Sequence, residues 1–264
     1  MIQLSELRAR DIEHHISDPT RLDFYLLMFV TRGIGSHQVD FERHSLQKGD
    51  VLQIRPSQVH AFDAKSKHEA LLLLFRPETV PPESIQRLAV HLSSPFQLNP
   101  EELRIFTGLL KLLLNIEDAP LAAMAPGLLQ AVVTGLDEVY SRRNQPLHSP
   151  SNHRASDLVY RFEQLIHAKP DRHGPISDYI DSLHVTQRTL ARACHEIRGV
   201  SPKKLIDQHC VLEAKRKLIL GDNTVEEIAF DLGFSEATNF VKFFKRIAGL
   251  TPEAFRTKQR EQAE

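Results

Sequence analysis

Two short segments near the C-terminal end of the sequence carry the side chains best suited to chemistry. Arg188 and Arg192 stand four residues apart, so on a helix they would share one exposed face. Asn239 and Lys242 occupy a similar position in a second segment further along the chain. Arginine is the usual bidentate partner of guanine and asparagine suits adenine, because each matches the major-groove edge of that base. These residue types are therefore suited to contacts with DNA bases.

The residues around the second segment predict a helix, a tight turn and a displayed second helix. Gly233 suits the positive φ that ends a helix, and Ser235 is expected to cap the next one. Apolar residues at helical spacing predict one buried face on each helix. These residues are Val225, Ile228, Ala229 and Leu232 in the first helix and Phe240, Phe243, Phe244 and Ile247 in the second. The pattern predicts a helix-turn-helix unit.

The same plan occurs earlier in the chain as an internal duplication. Ile180–Thr186 parallels Ala229–Ser235, and Gly199–Pro202 parallels Gly249–Pro252, with one extra residue between cap and buried anchor in the second copy. A helix over Leu205–Leu220 is expected to connect the copies. The two reading helices are then expected to enter successive major grooves about 34 Å apart. A phenylalanine-rich helical core with no DNA-binding role is the alternative.

From about residue 157 to 258 the chain resembles the DNA-binding domain of the AraC/XylS transcription regulators. The runs that carry the resemblance are Glu227–Ser235, Phe240–Lys245 and Gly249–Pro252. The first copy departs from the family pattern, since His184 stands where glycine is usual. Cys210 stands where arginine is usual, which puts a phosphate contact or a buried ion pair from that position in question.

The resemblance assigns the residues that face DNA. The base-facing positions are Arg188, Ala191 and Arg192 in the first helix and Ala237, Thr238, Asn239 and Lys242 in the second. Lys245 and Arg246, with Lys242, are expected at phosphates, which position a protein on DNA without specifying the sequence. Backbone amides near Thr186 and Ser235 are further phosphate candidates. A role as solvated surface charges stays open for Lys245 and Arg246. The expected partner is double-stranded DNA.

The N-terminal part of the sequence predicts a different kind of domain. From Arg21 to Arg76 strand signals alternate with turn signals, and the predicted turns include Gly33–Gly35, Lys48–Asp50 and Arg55–Gln58. Many short strands in one small domain predict a β-sandwich or jelly-roll barrel, which can enclose a ligand.

This half resembles the cupin-like effector-binding domain of the same family. The cues are Thr31–Gly35, Lys48–Leu52 and Pro56–His60. The resemblance implies that Arg32, His37, His60 and Phe62 line or border a pocket for a small-molecule effector. In the alternative, Arg32 pairs with a local acid and His60 is a satisfied core residue. A regulator whose barrel serves only dimerisation or protein contact, with no ligand, is the second functional hypothesis.

A metal-dependent cupin enzyme is the third hypothesis, and the histidine spacing argues against it. Catalytic cupins carry a His-x-His pair followed by Glu, whereas His37–Val39 breaks that pair, and His44, His60 and His68 do not reproduce ligand spacing. The sequence also lacks a phosphate-cradling glycine loop and a nucleophile elbow. No metal, cofactor or enzymatic activity is therefore expected.

The length of the chain fits two domains, and its composition gives almost no net charge. The 264 residues include 33 basic and 34 acidic ones, for a formal net charge of −1, so DNA affinity should come from placed contacts. Cys194 and Cys210 are expected to be buried thiols, as in a reducing compartment. With no signal peptide and no apolar run of membrane-spanning length, a cytoplasmic protein without a membrane partner is expected.

The overall prediction is an α+β multidomain protein. We expect an N-terminal cupin-like β-barrel or jelly roll with following helices, and a C-terminal all-α domain with two helix-turn-helix units. The expected divisions are residues 1–142 for effector binding and dimerisation, 143–156 for a linker, and 157–264 for DNA binding. Helices expected over Pro100–Glu117 and Ala122–Ser141 suggest a homodimer contact, by family resemblance. An N-terminal arm, Met1–Pro19, is a candidate cover for the pocket, and RNA polymerase is a further candidate partner.

Overall fold

The chain forms two compact units, Met1–Gln145 and Pro146–Glu264. The structure, a computed structural model, describes residues 2–7, 19–63, 65–91, 95–116, 121–143, 150–168 and 175–263. The first unit is an antiparallel sheet followed by helices, and the described part of the second is helical, which confirms the predicted fold class.

The strands of the N-terminal unit form one antiparallel sheet. They are β1 (Ile2–Leu7), β2 (Thr20–Arg21), β3 (Tyr25–Val39), β4 (Glu42–Gln47), β5 (Asp50–Ile54), β6 (Val59–Phe62), β7 (Lys67–Phe75) and β8 (Phe96–Gln97). The order along the sheet is β1-β7-β3-β5-β8; β4 and β6 also pair with β3, and β2 pairs with β6. The first half of β3 pairs with β5 and its second half with β4 and β6, so this strand joins both parts of the sheet.

β3 runs without interruption through the segment predicted as its first turn. Gly33 adopts a φ of +79°, and the register of β3 against β7 shifts at a bulge just before it. A Cβ atom on Gly33 would lie 2.1 Å from the Lys67 carbonyl oxygen, and one on Gly35 would lie 2.3 Å from His68 Nδ1. The turn prediction for Gly33–Gly35 is therefore wrong, because these glycines instead permit the close approach of β7 at the bulge.

The other two predicted turns are confirmed. β4 ends at Gln47 and β5 begins at Asp50, with Gly49 between them at a φ of +98°. The Asp50 carboxylate closes this turn by accepting a 2.8 Å hydrogen bond from the Gln47 amide. Ser57, in the turn between β5 and β6, holds a φ of +71°, a conformation in which glycine is less strained.

Three helices of the N-terminal unit cover one face of the sheet. They are α1 (Pro82–His91), α2 (Pro100–Ile116) and α3 (Ala125–Arg143). Successive side chains of a strand point to opposite faces of the sheet, and Leu27, Phe29 and Leu71 point to the face under the helices and join the core there. Met28 and Leu72 point to the opposite face, where they belong to a second apolar cluster in the interior of the barrel.

The predicted N-terminal arm and linker differ from the structure in part. Ile2–Leu7 pair with β7 as the edge strand β1, because their extended backbone completes the ladder of that strand; residues 8–18 of the arm lie outside the described residues. Within the predicted linker, residues 144–149 lie outside them too, and residues 150–156 are already helical. The helix begins with Pro150, a residue suited to a first helical turn because it needs no amide hydrogen bond there.

The C-terminal unit is organised around one long buried helix. Its helices are α4 (Pro150–Ala168), α5 (Ile176–Leu183), α6 (Gln187–Arg198), α7 (Pro202–Leu220), α8 (Val225–Asp231), α9 (Ala237–Ala248) and α10 (Pro252–Ala263). Both cysteines are buried, as predicted. Cys210 is an apolar part of α7, and on the same helix Glu213 and Arg216 form a buried ion pair three residues apart. The side chain of Arg198 on α6 makes a bidentate ion pair with Glu163 of α4, at 2.7 and 2.9 Å, which fixes the two helices together.

Candidate DNA-binding surface and barrel interior

The first helix-turn-helix unit is α5, a short turn and α6. α5 ends at Leu183, and the next residue, His184, takes the left-handed conformation at φ 53° and ψ 46° and donates its amide to the last turn of the helix. Thr186 then caps α6, since its hydroxyl accepts a 3.1 Å hydrogen bond from the Thr189 amide. The turn is therefore formed although a histidine occupies the position where glycine costs least.

The second unit is α8, a turn and α9, and the path from its left-handed residue to the N-cap of its second helix is one residue longer than in the first unit. Gly233 supplies the left-handed residue at φ 81°. The prediction that Ser235 caps the reading helix is wrong, because α9 starts one residue later with Glu236 at the N-cap, and no side-chain cap bond is formed there. From Glu236 to the buried Phe240 is four residues, as from Thr186 to Leu190. The extra residue of the second copy therefore lengthens the turn and leaves the two reading helices equivalent.

Both reading helices are held from behind by apolar side chains. Leu190 and Cys194 of α6 are fully buried, and so are Phe240 and Phe244 of α9. In the second unit Phe234 packs against Phe240 with ring centroids 5.3 Å apart, so the turn is closed by an aromatic contact. Burial of one face at this spacing forces the opposite face of each helix outward.

The outward faces carry the residues predicted to read bases. Five of the seven are exposed and two are partly exposed. The exposed residues are Arg188, Arg192, Thr238, Asn239 and Lys242, and the partly exposed ones are Ala191 and Ala237. Hydrogen-bonding side chains are thus displayed and small apolar ones lie beside them, an arrangement that permits contact with base edges and thymine methyl groups.

The candidate phosphate contacts lie at the other end of α9. Lys245 and Arg246 are both exposed. The Arg246 guanidinium lies 3.5 Å from the Asp207 carboxylate of α7 and 5.5 Å from the centroid of the Phe243 ring. Arg246 therefore has an intramolecular partner, and DNA would have to compete with it. At α6 the Thr189 amide is occupied by Thr186, so the remaining first-turn amides are the ones available to a phosphate.

In the N-terminal unit, three of the four predicted effector residues come together and one does not. His37 Nε2 lies 3.0 Å from His60 Nδ1, and Phe62 packs edge-on against His37 with ring centroids 4.7 Å apart. Arg32 is separate, since its side chain is 80% exposed and lies 3.9 Å from the Glu69 carboxylate. The bulge in β3 turns Arg32 away from the histidines. The structure therefore agrees with the alternative in which Arg32 pairs with a local acid.

The buried histidines are neutral. Burial lowers the pKa of His60 to about 4, and burial, aided by the nearby His60, His68 and His44, lowers the pKa of His37 well below its ordinary value. A neutral imidazole has one donor and one acceptor nitrogen. Nδ1 of His37 and both ring nitrogens of His68 have no hydrogen-bond partner in the described part of the chain.

His68 is a candidate site residue that motif reasoning missed. It is fully buried on β7, two residues before Ala70 and four before Leu72, and both of these point into the barrel interior. Strict alternation along a strand places residues at even spacing on one face. Counting back from Leu72 would therefore have placed His68 on the face of the sheet that lines the barrel interior, whereas the search for metal-ligand spacing considered His68 only as a metal ligand and excluded it.

A cleft of about 970 Å³ lies on the other side of the sheet, against α2. Its lining includes Thr31, Lys48, Glu69, Leu103, Arg104 and Lys111, and none of the four predicted effector residues. Among the described residues no group of His, Cys, Asp or Glu is arranged to hold a metal ion. In that same part of the chain, no helix is long and apolar enough to cross a membrane.

Two helix-turn-helix units joined to an antiparallel barrel domain define a DNA-binding regulator with a separate domain of the ligand-binding type. Comparison with known families agrees with this class: the AraC-like ligand binding domain matches residues 3–132, and the helix-turn-helix domain matches residues 179–258. The chain belongs to the AraC family of transcriptional regulators.

Two transcriptional activators are similar to this chain over nearly its whole length. The transcriptional activator RhaS of Escherichia fergusonii is 24% identical over 261 residues, covering 92% of this chain and 87% of the relative. RhaS of Yersinia pseudotuberculosis is 23% identical over 274 residues, covering 93% and 89%. Among solved structures, ToxT from Vibrio cholerae is similar with a TM-score of 0.47 and 12% identity, over 97% of each chain.

Proposed function

We propose that this regulator recognises a specific double-stranded DNA sequence by inserting α6 and α9 into the major groove. The observation that carries the proposal is the pair of displayed faces, with Arg188 and Arg192 on one and Asn239 on the other, each held from behind by buried anchors. Both units pack on α7, whose 19 residues make a rod of about 28 Å. That length is comparable to the 34 Å between successive major grooves on one face of the duplex.

The base-reading assignment is tested on an operator selected from random DNA, with affinity measured by fluorescence anisotropy. Arg192→Ala and Asn239→Ala are each expected to weaken binding by about 5- to 150-fold and to relax specificity at one base position, since each good bidentate contact contributes about 1–3 kcal/mol of discrimination. The matched controls are Arg161→Ala and Gln164→Ala, which remove exposed residues of α4 and should leave the affinity unchanged. Wild-type affinity and specificity in both reading-helix variants would refute the assignment.

We infer that a small-molecule effector controls this activity from the barrel interior, next to His37 and His60. A buried polar atom without a partner costs about 1–3 kcal/mol, and His37 Nδ1 and both nitrogens of His68 are such atoms. A ligand that offers hydrogen bonds to these nitrogens would remove that cost and bind the folded domain preferentially. The Phe62 ring beside them supplies an apolar surface for the rest of the ligand.

The test is a thermal-shift screen of polar metabolites on the full chain, followed by calorimetry of each compound that raises the melting temperature. An effector in the interior should bind wild type and lose at least tenfold in affinity on His37→Phe, which removes the polar nitrogens and keeps a ring. A compound that binds both proteins equally lies elsewhere. If no compound binds and the chain still recognises its operator, the barrel serves dimerisation or protein contact, the second hypothesis.

The homodimer and a contact with RNA polymerase belong to the proposal as well. On α2 the large apolar side chains of Ile105 and Leu112 are 49% and 43% exposed, and their spacing of seven residues places them on one face. We propose that this face is the dimer contact. Polymerase contact is tested by transcription in vitro from a promoter bearing the selected operator, with purified polymerase as the only added protein. A regulator of this kind is expected in the cytoplasm, where its DNA is.

A further inference from the structure

The cleft on the helix-covered side of the sheet is distinct from the barrel interior. One wall is formed by Thr31 and Glu69–Leu71 of β3 and β7, with the Lys48–Gly49 turn at its edge, and α2 forms the other. Leu71 and Leu103 on its floor belong to the core beneath the helices. Phe62, by contrast, packs with the apolar cluster of the opposite face, near His37 and His60. The sheet itself therefore separates the two places.

The lining of this cleft is strongly biased in charge. Four basic side chains, Lys48, Arg104, Lys111 and Arg143, and one acidic side chain, Glu69, line it, in a chain whose formal net charge is −1. Arg104 and Lys111 are seven residues apart on α2, which places them on one face of the helix about 10 Å apart along its axis.

Intramolecular partners account for only part of this charge. Arg143 is paired with the Glu102 carboxylate, and Glu69 lies 3.9 Å from Arg32. Lys48, Arg104 and Lys111 have no carboxylate within ion-pairing distance among the described residues, so three positive charges face one concave space uncompensated.

Below these charges the cleft has an apolar floor. Leu71, Leu98 and Leu103 lie there. The backbone at Gly49 packs closely against Leu98, since a Cβ atom on Gly49 would lie 2.9 Å from the Leu98 carbonyl oxygen. Ligand sites commonly combine a concave apolar lining with a few placed polar groups. A solvated basic surface needs neither the concavity nor the floor.

We propose that this cleft binds a small organic anion, with its carboxylate or phosphate group held by Arg104, Lys111 and Lys48 and its apolar body on the leucine floor. The inference concerns a second site, and it depends neither on DNA recognition nor on an effector in the barrel. The apolar body distinguishes the ligand from a free inorganic anion, which would gain nothing from Leu71 and Leu103.

The probe for this site is 8-anilinonaphthalene-1-sulfonate, an aromatic anion whose fluorescence reports binding. Its neutral counterpart, N-phenyl-1-naphthylamine, has the same rings without the sulfonate. The double variant Arg104→Gln/Lys111→Gln is expected to weaken binding of the anionic probe to the full chain by about tenfold, from the loss of two exposed charge contacts. Binding of the neutral probe should stay at the wild-type level.

The matched control is Lys67→Gln/Arg76→Gln, which removes the same two charges from exposed positions outside the cleft and should bind both probes as wild type does. Competition then identifies the head group: 1-naphthoate or 1-naphthyl phosphate should displace the probe, and inorganic phosphate at the same concentration should not. Equal affinity of the anionic probe for wild type and the cleft variant would overturn the proposal. So would displacement by inorganic phosphate as effective as that by 1-naphthyl phosphate.

Discussion

The buried histidines of the barrel make the stability of the N-terminal unit depend on pH. His60 has a pKa of about 4 in the folded protein because of its burial, against about 6.5 in an unfolded chain. Between these values the unfolded chain binds more protons than the folded one, so stability is full above pH 6.5 and is lost as the pH falls toward 4. For this pair of values the linkage relation gives a loss of about 2 kcal/mol between pH 7 and pH 5.

The substitution that isolates this effect is His60→Gln, which removes the titrating group and keeps an amide able to bond His37 Nε2. Urea unfolding of the full chain, followed by far-UV circular dichroism, gives the free energy of unfolding of the N-terminal unit at pH 7 and at pH 5. The wild type should lose about 2 kcal/mol more than the variant over this range, whatever the absolute stability of the variant.

Other groups of the same unit titrate in both proteins and largely cancel in the comparison. Burial lowers the pKa of His37 as it does that of His60, which adds to the loss of stability at low pH. Burial raises the pKa of Asp50, which opposes that loss of stability. His195→Gln, which removes an exposed histidine of α6, is the matched control and should lose as much stability as wild type. Identical pH slopes for wild type and His60→Gln would show that His60 is not held neutral by burial, and the reasoning would fail.

Three further predictions concern single positions in the two units. His184→Gly should raise the free energy of unfolding of the C-terminal unit by about 1 kcal/mol, because it relieves the left-handed strain at φ 53°; a lower urea midpoint would contradict this. Thr224→Ala removes the capping box of α8, in which the Thr224 hydroxyl accepts from the Glu227 amide at 3.1 Å, and should cost about 1 kcal/mol in the same assay, whereas an unchanged midpoint would show that the cap is dispensable. Ile105→Glu together with Leu112→Glu should convert the proposed dimer to a monomer in light scattering after size exclusion, and a persistent dimer would place the contact elsewhere.

The helix-turn-helix units were predictable because their signals are local. A cap, a left-handed residue and a buried anchor lie within a few positions of one another, so spacing alone fixes which face is displayed. The error at Ser235 was also local, since the second turn holds one more residue and the cap moved to Glu236. In that longer turn Phe234 packs on Phe240, and residue spacing alone did not show which of Ser235 and Glu236 would precede the helix.

The N-terminal unit was less predictable because its geometry depends on distant strands. In the sequence Gly33 looks like a turn residue. In the structure a glycine is needed there because a Cβ atom would collide with the Lys67 carbonyl oxygen, more than thirty residues later in the sequence. The same bulge moves Arg32 away from His37 and His60. The cleft of about 970 Å³ depends on the meeting of the Lys48–Gly49 turn with α2, which no local pattern indicates.

The single helix α7 has a consequence for how binding sites for this protein can evolve. Because both helix-turn-helix units pack on one continuous helix of 19 residues, that helix would hold them at a fixed separation in the proposed complex with DNA, and they could not follow a change in operator spacing. One inserted base pair between the two contacted segments would shift the second by about 3.4 Å and rotate it by about 34° around the duplex axis. New target promoters are therefore expected to arise through base substitutions, and insertions or deletions between the two contacted segments should be eliminated.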